Sequence, residues 1–227
     1  MGRIKLYDVI RESRDVLEGF NEEELSEDYP VNFDIFEFKN IRSYAGKLKY
    51  AREYLGKPLG RGSSREVYRV DDTKVLKLAK NKRGIAQNKA EINWYGETYY
   101  EGILAKVFDY DRDNNYWVEM EIAYRVKSND FKRLWGINFE DLFEYLNLRY
   151  LENRGKRRMY HVDPEVKEQM DNNDNVGLLV SFMYDSDSLD GDLSKLNSWG
   201  LVHRPEGDEI VLIDFGLTNN VYQSYYA

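Results

Sequence analysis

Between residues 57 and 79 the helical spacing of apolar side chains gives way to two short β-like runs, PLGRGSSREVYRV and TKVLKLA, parted by the turn signal Asp71-Asp72. This change of texture rules out an all-helical chain and predicts a hairpin. Its second strand carries Lys77 between Leu76 and Leu78. An ammonium on a buried strand needs an anion, because an unpaired buried charge costs several kcal/mol or deprotonates. A lysine at a strand end that snorkels to water is the plainer reading, and Lys80 is a second cation in the same run.

Helical patterns flank the hairpin. Ile4, Tyr7, Ile10, Val16, Leu17 and Phe20 are spaced for a first helix, followed by the acidic run NEEELSEDYP. Ile41, Tyr44, Ala45, Leu48, Ala51, Tyr54 and Leu55 form the stripe of a second, closed by Gly56. Beyond the hairpin, GIAQNKAEINWYGETY predicts a helix, and ILAKVFDYD and NYWVEMEIAYRV pair as strands across RDNN. Asn138 and Asp163-Pro164 start the helices FEDLFEYLNLRYLEN and EVKEQMDN, and SWGLV and EIVLIDFG form a terminal hairpin around RPEGDE.

Composition limits what such a chain can be. Its 227 residues suit one ordinary domain, or two small lobes sharing a cleft. With no cysteine there is no disulfide, no disulfide-linked partner and no thiolate metal site. His161 and His203 give no metal-ligand spacing. The 33 lysines and arginines stand against 41 aspartates and glutamates, and a net charge of -8 opposes general attraction to nucleic acid or anionic lipid. Arg154-Gly155-Lys156-Arg157-Arg158 reads as a basic helix end rather than an RNA site. The charged N-terminus lacks a signal peptide's apolar run, and no stretch approaches the ~18 apolar residues of a span, so a soluble, cytoplasmic protein without a membrane partner is expected.

Several short segments carry chemical possibilities that are weak one at a time. Gly60-Arg61-Gly62-Ser63-Ser64-Arg65-Glu66-Val67 lies between two strands. There glycine lets backbone N–H groups approach phosphate oxygens, and Val67 is placed to cover a base; a plain glycine hairpin is the structural alternative. The segment does not open a helix, which argues against a Rossmann or Walker loop. Glu91, on the following helix, is a candidate anion for Lys77. Asp214-Phe215-Gly216 ends the run Ile210-Val211-Leu212-Ile213, where a carboxylate can hold a metal ion against a polyphosphate. Asp192 precedes Asn197 by five residues, with Lys195 between them, and Asp185, Asp187 and Asp190 crowd the same region.

In this order the pieces resemble the protein kinase superfamily, from about Pro58 to Leu217: a Gly-rich hairpin, a strand lysine, a helical glutamate, an Asp with Asn five on, and Asp-Phe-Gly. The resemblance implies an α+β, bilobal protein-kinase-like fold: an N-terminal helical extension (1–56), a small antiparallel-sheet lobe (57–126) and a shortened helical lobe (127–227). It implies an ATP site formed by Gly60, Gly62, Ser63, Ser64, Val67, Lys77 and Glu91, with Met120, Glu121 and Ala123 lining the adenine. Asn197 and Asp214 would hold Mg2+, Asp192 would accept the acceptor hydroxyl's proton, and Lys77 and Lys195 would neutralise the moving phosphoryl group.

Three features depart from the superfamily pattern. Arg65 stands at the third glycine position, Asp190-Gly191 replaces the usual His-Arg before the catalytic Asp, and the sequence ends eleven residues after Gly216. The curtailed form is similar to minimal kinase-like proteins of tailed bacteriophages and bacterial effectors, which would place it in a host cytoplasm. The expected function is transfer of the ATP γ-phosphate to a hydroxyl, foremost a protein Ser/Thr. The alternatives are a small-molecule kinase and a nucleotide-binding pseudokinase that serves as an interaction module.

Overall fold

The computed structural model describes residues 32–155, 162–188, 193–225 and 227. The helix expected over residues 4–20 lies outside them. The fold is mixed α+β, with antiparallel sheets and eight α-helices among the described residues. No helix among the described residues is long and apolar enough to cross a membrane. The chain divides into two compact units, Met1–Ile92 with Val107–Ile122, and Asn93–Lys106 with Ala123–Ala227.

The first unit is built on a five-stranded antiparallel sheet of order β1-β2-β3-β5-β4. The strands are β1 (Gly60–Arg61), β2 (Arg65–Arg69), β3 (Lys74–Ala79), β4 (Val107–Tyr110) and β5 (Trp117–Glu121). Because successive strand residues face opposite sides, Tyr68, Leu76 and Leu78 meet one layer while Arg65, Val75 and Lys77 meet the other. Two helices precede the sheet, α1 (Ile35–Asn40) and α2 (Tyr44–Tyr54). Asp34 accepts from the N–H groups of Phe36 and Glu37, Ser43 accepts from that of Gly46, and Gly56 follows α2 at φ +72°.

The stripe on α2 buries Leu48 and Ala51 with Tyr50 and Phe38 against Tyr68, Leu76, Leu78 and Trp117. The sheet is therefore not left with an apolar face in water. Tyr44 and Ala45, counted in the stripe, are instead exposed, Tyr44 by 38% with its ring edge-on to Tyr116. Lys47 is buried and donates to the carbonyls of Phe38 and Lys39 at 2.8 and 3.0 Å, closing the end of α1. Burial pulls its pKa below the ordinary value.

Helix α3 (Lys82–Tyr95) lies between β3 and β4 in sequence, and its first turns belong to the first unit. Asn81 caps it by accepting from the N–H groups of Arg83 and Gly84.

The second unit holds β6 (Tyr124–Arg125), α4 (Ser128–Leu134), α5 (Phe139–Asn153), α6 (Pro164–Asp171), α7 (Asp174–Asp185), β7 (Trp199–Arg204), β8 (Gly207–Leu212) and α8 (Asn219–Tyr225). Its sheet has the order β6-β7-β8. NYWVEMEIAYRV, read as one strand, is two: β5 ends at Glu121 and β6 pairs with β7, Tyr124 opposite Leu201. The ladder of the first sheet closes where the Ile122 N–H donates to Thr73.

Gly200 permits the join within the second unit, since a Cβ there would lie 2.4 Å from that of Ala123 and 2.9 Å from Ile213. Helix α7 was not anticipated, although Asn173 caps it and Val176, Leu179, Val180, Phe182 and Met183 form its buried stripe.

Candidate functional site

On the first unit, the Gly-rich segment is a tight turn rather than an open strap. Gly60 pairs with Val67, and the Gly62 N–H donates to the Arg65 carbonyl at 2.9 Å. The turn's carbonyls are taken up by the start of α3: Lys80 donates from Nζ to Gly62 and from its backbone to Ser64, both at 2.8 Å, and the Asn81 amide donates to Ser63 at 3.0 Å. The Ser64 hydroxyl donates to Gln87 at 2.7 Å.

Gly84 is what lets the helix approach this closely. A Cβ there would fall 2.2 Å from the Ser64 carbonyl oxygen, closer than any side chain tolerates. The Ser63 hydroxyl is buried with no hydrogen-bond partner. Buried polar groups are rarely left so, and a hydroxyl of this kind in a glycine turn fits a phosphate oxygen.

Lys77 sits in the middle of β3, opposite Val67 on one side and Val118 on the other. Its ammonium donates to both carboxylate oxygens of Glu91 on α3, at 3.0 and 3.1 Å. Glu91 is fully buried and the Lys77 side chain is 7% exposed. The ion pair expected between these residues is present, with Lys77 rather than Lys80 as the cation.

Arg65 also reaches Glu91, at 2.8 Å from Nη1 to Oε2. Sequence reasoning missed that contact and treated Arg65 only as a lost glycine. The signal was the two-residue period that puts residue 65 on the same face as Val67. Met120 is buried near the end of β5, and Glu121 is half-buried.

On the second unit, Asp214 follows β8 and is exposed, while the next residue, Phe215, is buried and packs edge-on with Phe182. The carbonyl of Ser198 accepts the N–H groups of Ile213 and Asp214, at 2.9 and 3.4 Å. Asn197, just before Ser198 in a short 3-10 turn, and Asp214 thus leave one backbone junction. Lys195 begins that turn, half-buried, with its carbonyl accepting from Ser198 N–H. Ala123 is half-buried just before β6. Asp192 lies outside the described residues, as do Asp190, His161 and the basic residues 156–158.

No protein-family model matches the chain, and no curated protein matches it.

Asn197 and Asp214 offer donors that suit one metal class. An amide oxygen and a carboxylate are hard ligands, and Mg2+ is commonly held by one or two such groups plus substrate phosphates and water. Among the described residues no cluster of three histidines, aspartates or glutamates is arranged to hold a metal by protein ligands alone.

The carboxylates noted upstream have structural partners. Asp185 accepts from the Tyr100 hydroxyl, and Asp187 accepts from Arg154 at 2.6 Å and from the Asn219 amide at 2.9 Å. His203 bonds Asp208 at 2.7 Å on the terminal hairpin.

Proposed function

We propose that this chain is an ATP-dependent phosphotransferase that moves the γ-phosphate of Mg-ATP to a hydroxyl. In this reading the five-stranded unit is the small lobe, and the second unit the shortened large lobe, of a bilobal protein-kinase-like fold. The observation that carries the reading is the Lys77–Glu91 pair. Two desolvated charges seldom stabilise a core better than apolar side chains of the same volume, so such a pair favours a task for the ammonium.

Glu91 orients Lys77, whose charge would bind the nucleotide phosphates beside the Gly62–Ser64 turn and the Ser63 hydroxyl. Val67, Met120, Glu121 and Ala123 would bound the adenine. Asp214 and Asn197 would hold Mg2+, which supplies charge neutralisation on the phosphates. Asp192 would orient the acceptor hydroxyl and take its proton, and Lys195 would steady the transferred group. The acceptor favoured is a protein Ser/Thr, with a small molecule as the alternative.

Saturating Mg-ATP is expected to raise the melting temperature of the wild-type chain. Asp192→Asn is expected to keep most Mg-ATP affinity yet lose transfer by a factor on the order of 10² or more, while Asp214→Ala weakens both. Calorimetry and radiolabel transfer on the same preparations check this. Equal turnover of wild type and Asp192→Asn would overturn the catalytic role, and no binding heat would overturn the site. Binding without any transfer would leave a pseudokinase.

A further inference from the structure

The residue that replaces a glycine in the phosphate-loop pattern, Arg65, is neither in the turn nor in water. It is the first residue of β2, its side chain is 8% exposed, and its guanidinium lies 2.8 Å from the Glu91 carboxylate. In the β2–β3 ladder Arg65 is opposite Ala79, and Val67 is opposite Lys77, so Arg65 and Lys77 are diagonal neighbours on one face. Both reach the same oxygen of Glu91, Oε2, while Lys77 also holds Oε1.

The Asn88 carbonyl oxygen lies 3.5 Å from Arg65 Nη1, and the other end of that amide donates to the Asn115 carbonyl at 2.9 Å. The backbone beside Arg65 is also fixed, because Ser64 accepts from Lys80 N–H. The guanidinium therefore approaches Glu91 from a stationary strand, with a planar fork that does not lose its proton.

We propose that Arg65 is a positioning residue that holds the Glu91 carboxylate toward Lys77, so that α3 is tied to two strands, β2 and β3. Its effect on the nucleotide rests on the reading of Lys77 as a ligand of the ATP phosphates. A lone lysine can be released whenever the helix shifts or the carboxylate changes rotamer. With Arg65 on the same oxygen, either motion must also break a second buried ion pair. The pair is thus formed before nucleotide arrives, and less of the binding free energy is lost to ordering it.

The test uses the full chain as wild type, Arg65→Met, Arg65→Lys, Glu91→Gln and the double Arg65→Met/Glu91→Gln. Mg-ATP affinity is read by calorimetry and stability by urea unfolding. Arg65→Met is expected to weaken Mg-ATP binding about tenfold, Arg65→Lys to recover most of that loss, and the double variant to bind no worse than Glu91→Gln alone. Wild-type affinity in folded Arg65→Met would make Arg65 a structural staple only and overturn the proposal. So would equal affinities of the Met and Lys variants.

If the wild type itself binds no Mg-ATP, the function proposed above fails separately, and the rate at which an amine-acylating reagent labels Lys77, read by mass spectrometry of the folded proteins, decides the positioning. Faster labelling in Arg65→Met than in wild type, restored by Arg65→Lys, supports it, and unchanged labelling overturns it. Should Arg65→Met not fold, Arg65→Gln replaces it in the same comparison.

Discussion

Two glutamates, Glu66 and Glu91, sit on opposite faces of the five-stranded sheet, both fully buried, and they are paired in different ways. Glu66 accepts from Arg52 on α2 at 2.7 and 3.1 Å and pairs with Arg61 at 3.1 Å. Those two arginine side chains are 50% and 53% exposed. Glu91 is held by Lys77 and Arg65, which are 7% and 8% exposed.

The first network reaches solvent, so its cations keep much of their hydration and the carboxylate ties an outer helix to the sheet. The second network is desolvated on every member, an arrangement that apolar side chains of the same volume often match or better in stability. Buried charge of the first kind secures a helix, whereas the second kind is where chemistry is to be sought.

Removing the carboxylate on each side tests the contrast most severely. Glu91→Gln takes the shared anion from two buried cations and is expected to cost about 3–5 kcal/mol of unfolding free energy, as for other broken buried pairs. Glu66→Gln, whose cations can turn to water, is expected to cost clearly less in the same urea titration. Equal losses would break the comparison.

A smaller effect is expected at the junction that positions the α3 side. Gly84→Ala places a methyl group against the Ser64 carbonyl, and forcing the helix away should cost about 1–3 kcal/mol. It should also reduce Mg-ATP affinity, because the turn and Glu91 move apart. A variant with unchanged melting temperature and affinity would show that the close approach has no consequence.

The smallest effect concerns pH on the α2 side. Burial works to raise the Glu66 carboxyl, but hydrogen bonds from Arg52 and Tyr68 and the charges of Arg52 and Arg61 outweigh it and hold the pKa below its ordinary 4.5. A carboxyl depressed by folding contributes stability that is complete above its unfolded pKa and is lost as pH falls through the folded one. Acid titration of stability below about pH 4.5 should therefore be steeper in wild type than in Arg52→Met. At neutral pH that substitution should cost under about 1 kcal/mol, because half of the arginine is in water. Identical acid slopes would show that Arg52 does not hold the Glu66 charge.

Much of this was legible in residue types and spacing. Lys77 stood out because a cation between leucines on a strand requires a partner, and Glu91 because it follows on the next helix. The helix over residues 139–153 and the terminal hairpin were readable from capping residues and period alone. Arg65 was not readable as a partner, since a glycine position filled by arginine looks like a loss until the strand register shows which way it faces. Nor was the break between β5 and β6. The run is β-prone with no glycine, proline or turn signal inside it, and the close packing of Ala123 at the break is permitted by Gly200, far along the sequence.

Local chemistry alone thus determined the α+β class, most element positions and the need of Lys77 for an anion, because periodicity, capping and the cost of an unpaired buried charge act over a few residues. Tertiary structure alone decided which faces meet. Glu66 became an anchor for α2 and Glu91 the centre of a dry, three-charge cluster because strand register and the close approach at Gly84 select partners that lie 14 to 26 positions away in sequence, a choice no local propensity encodes.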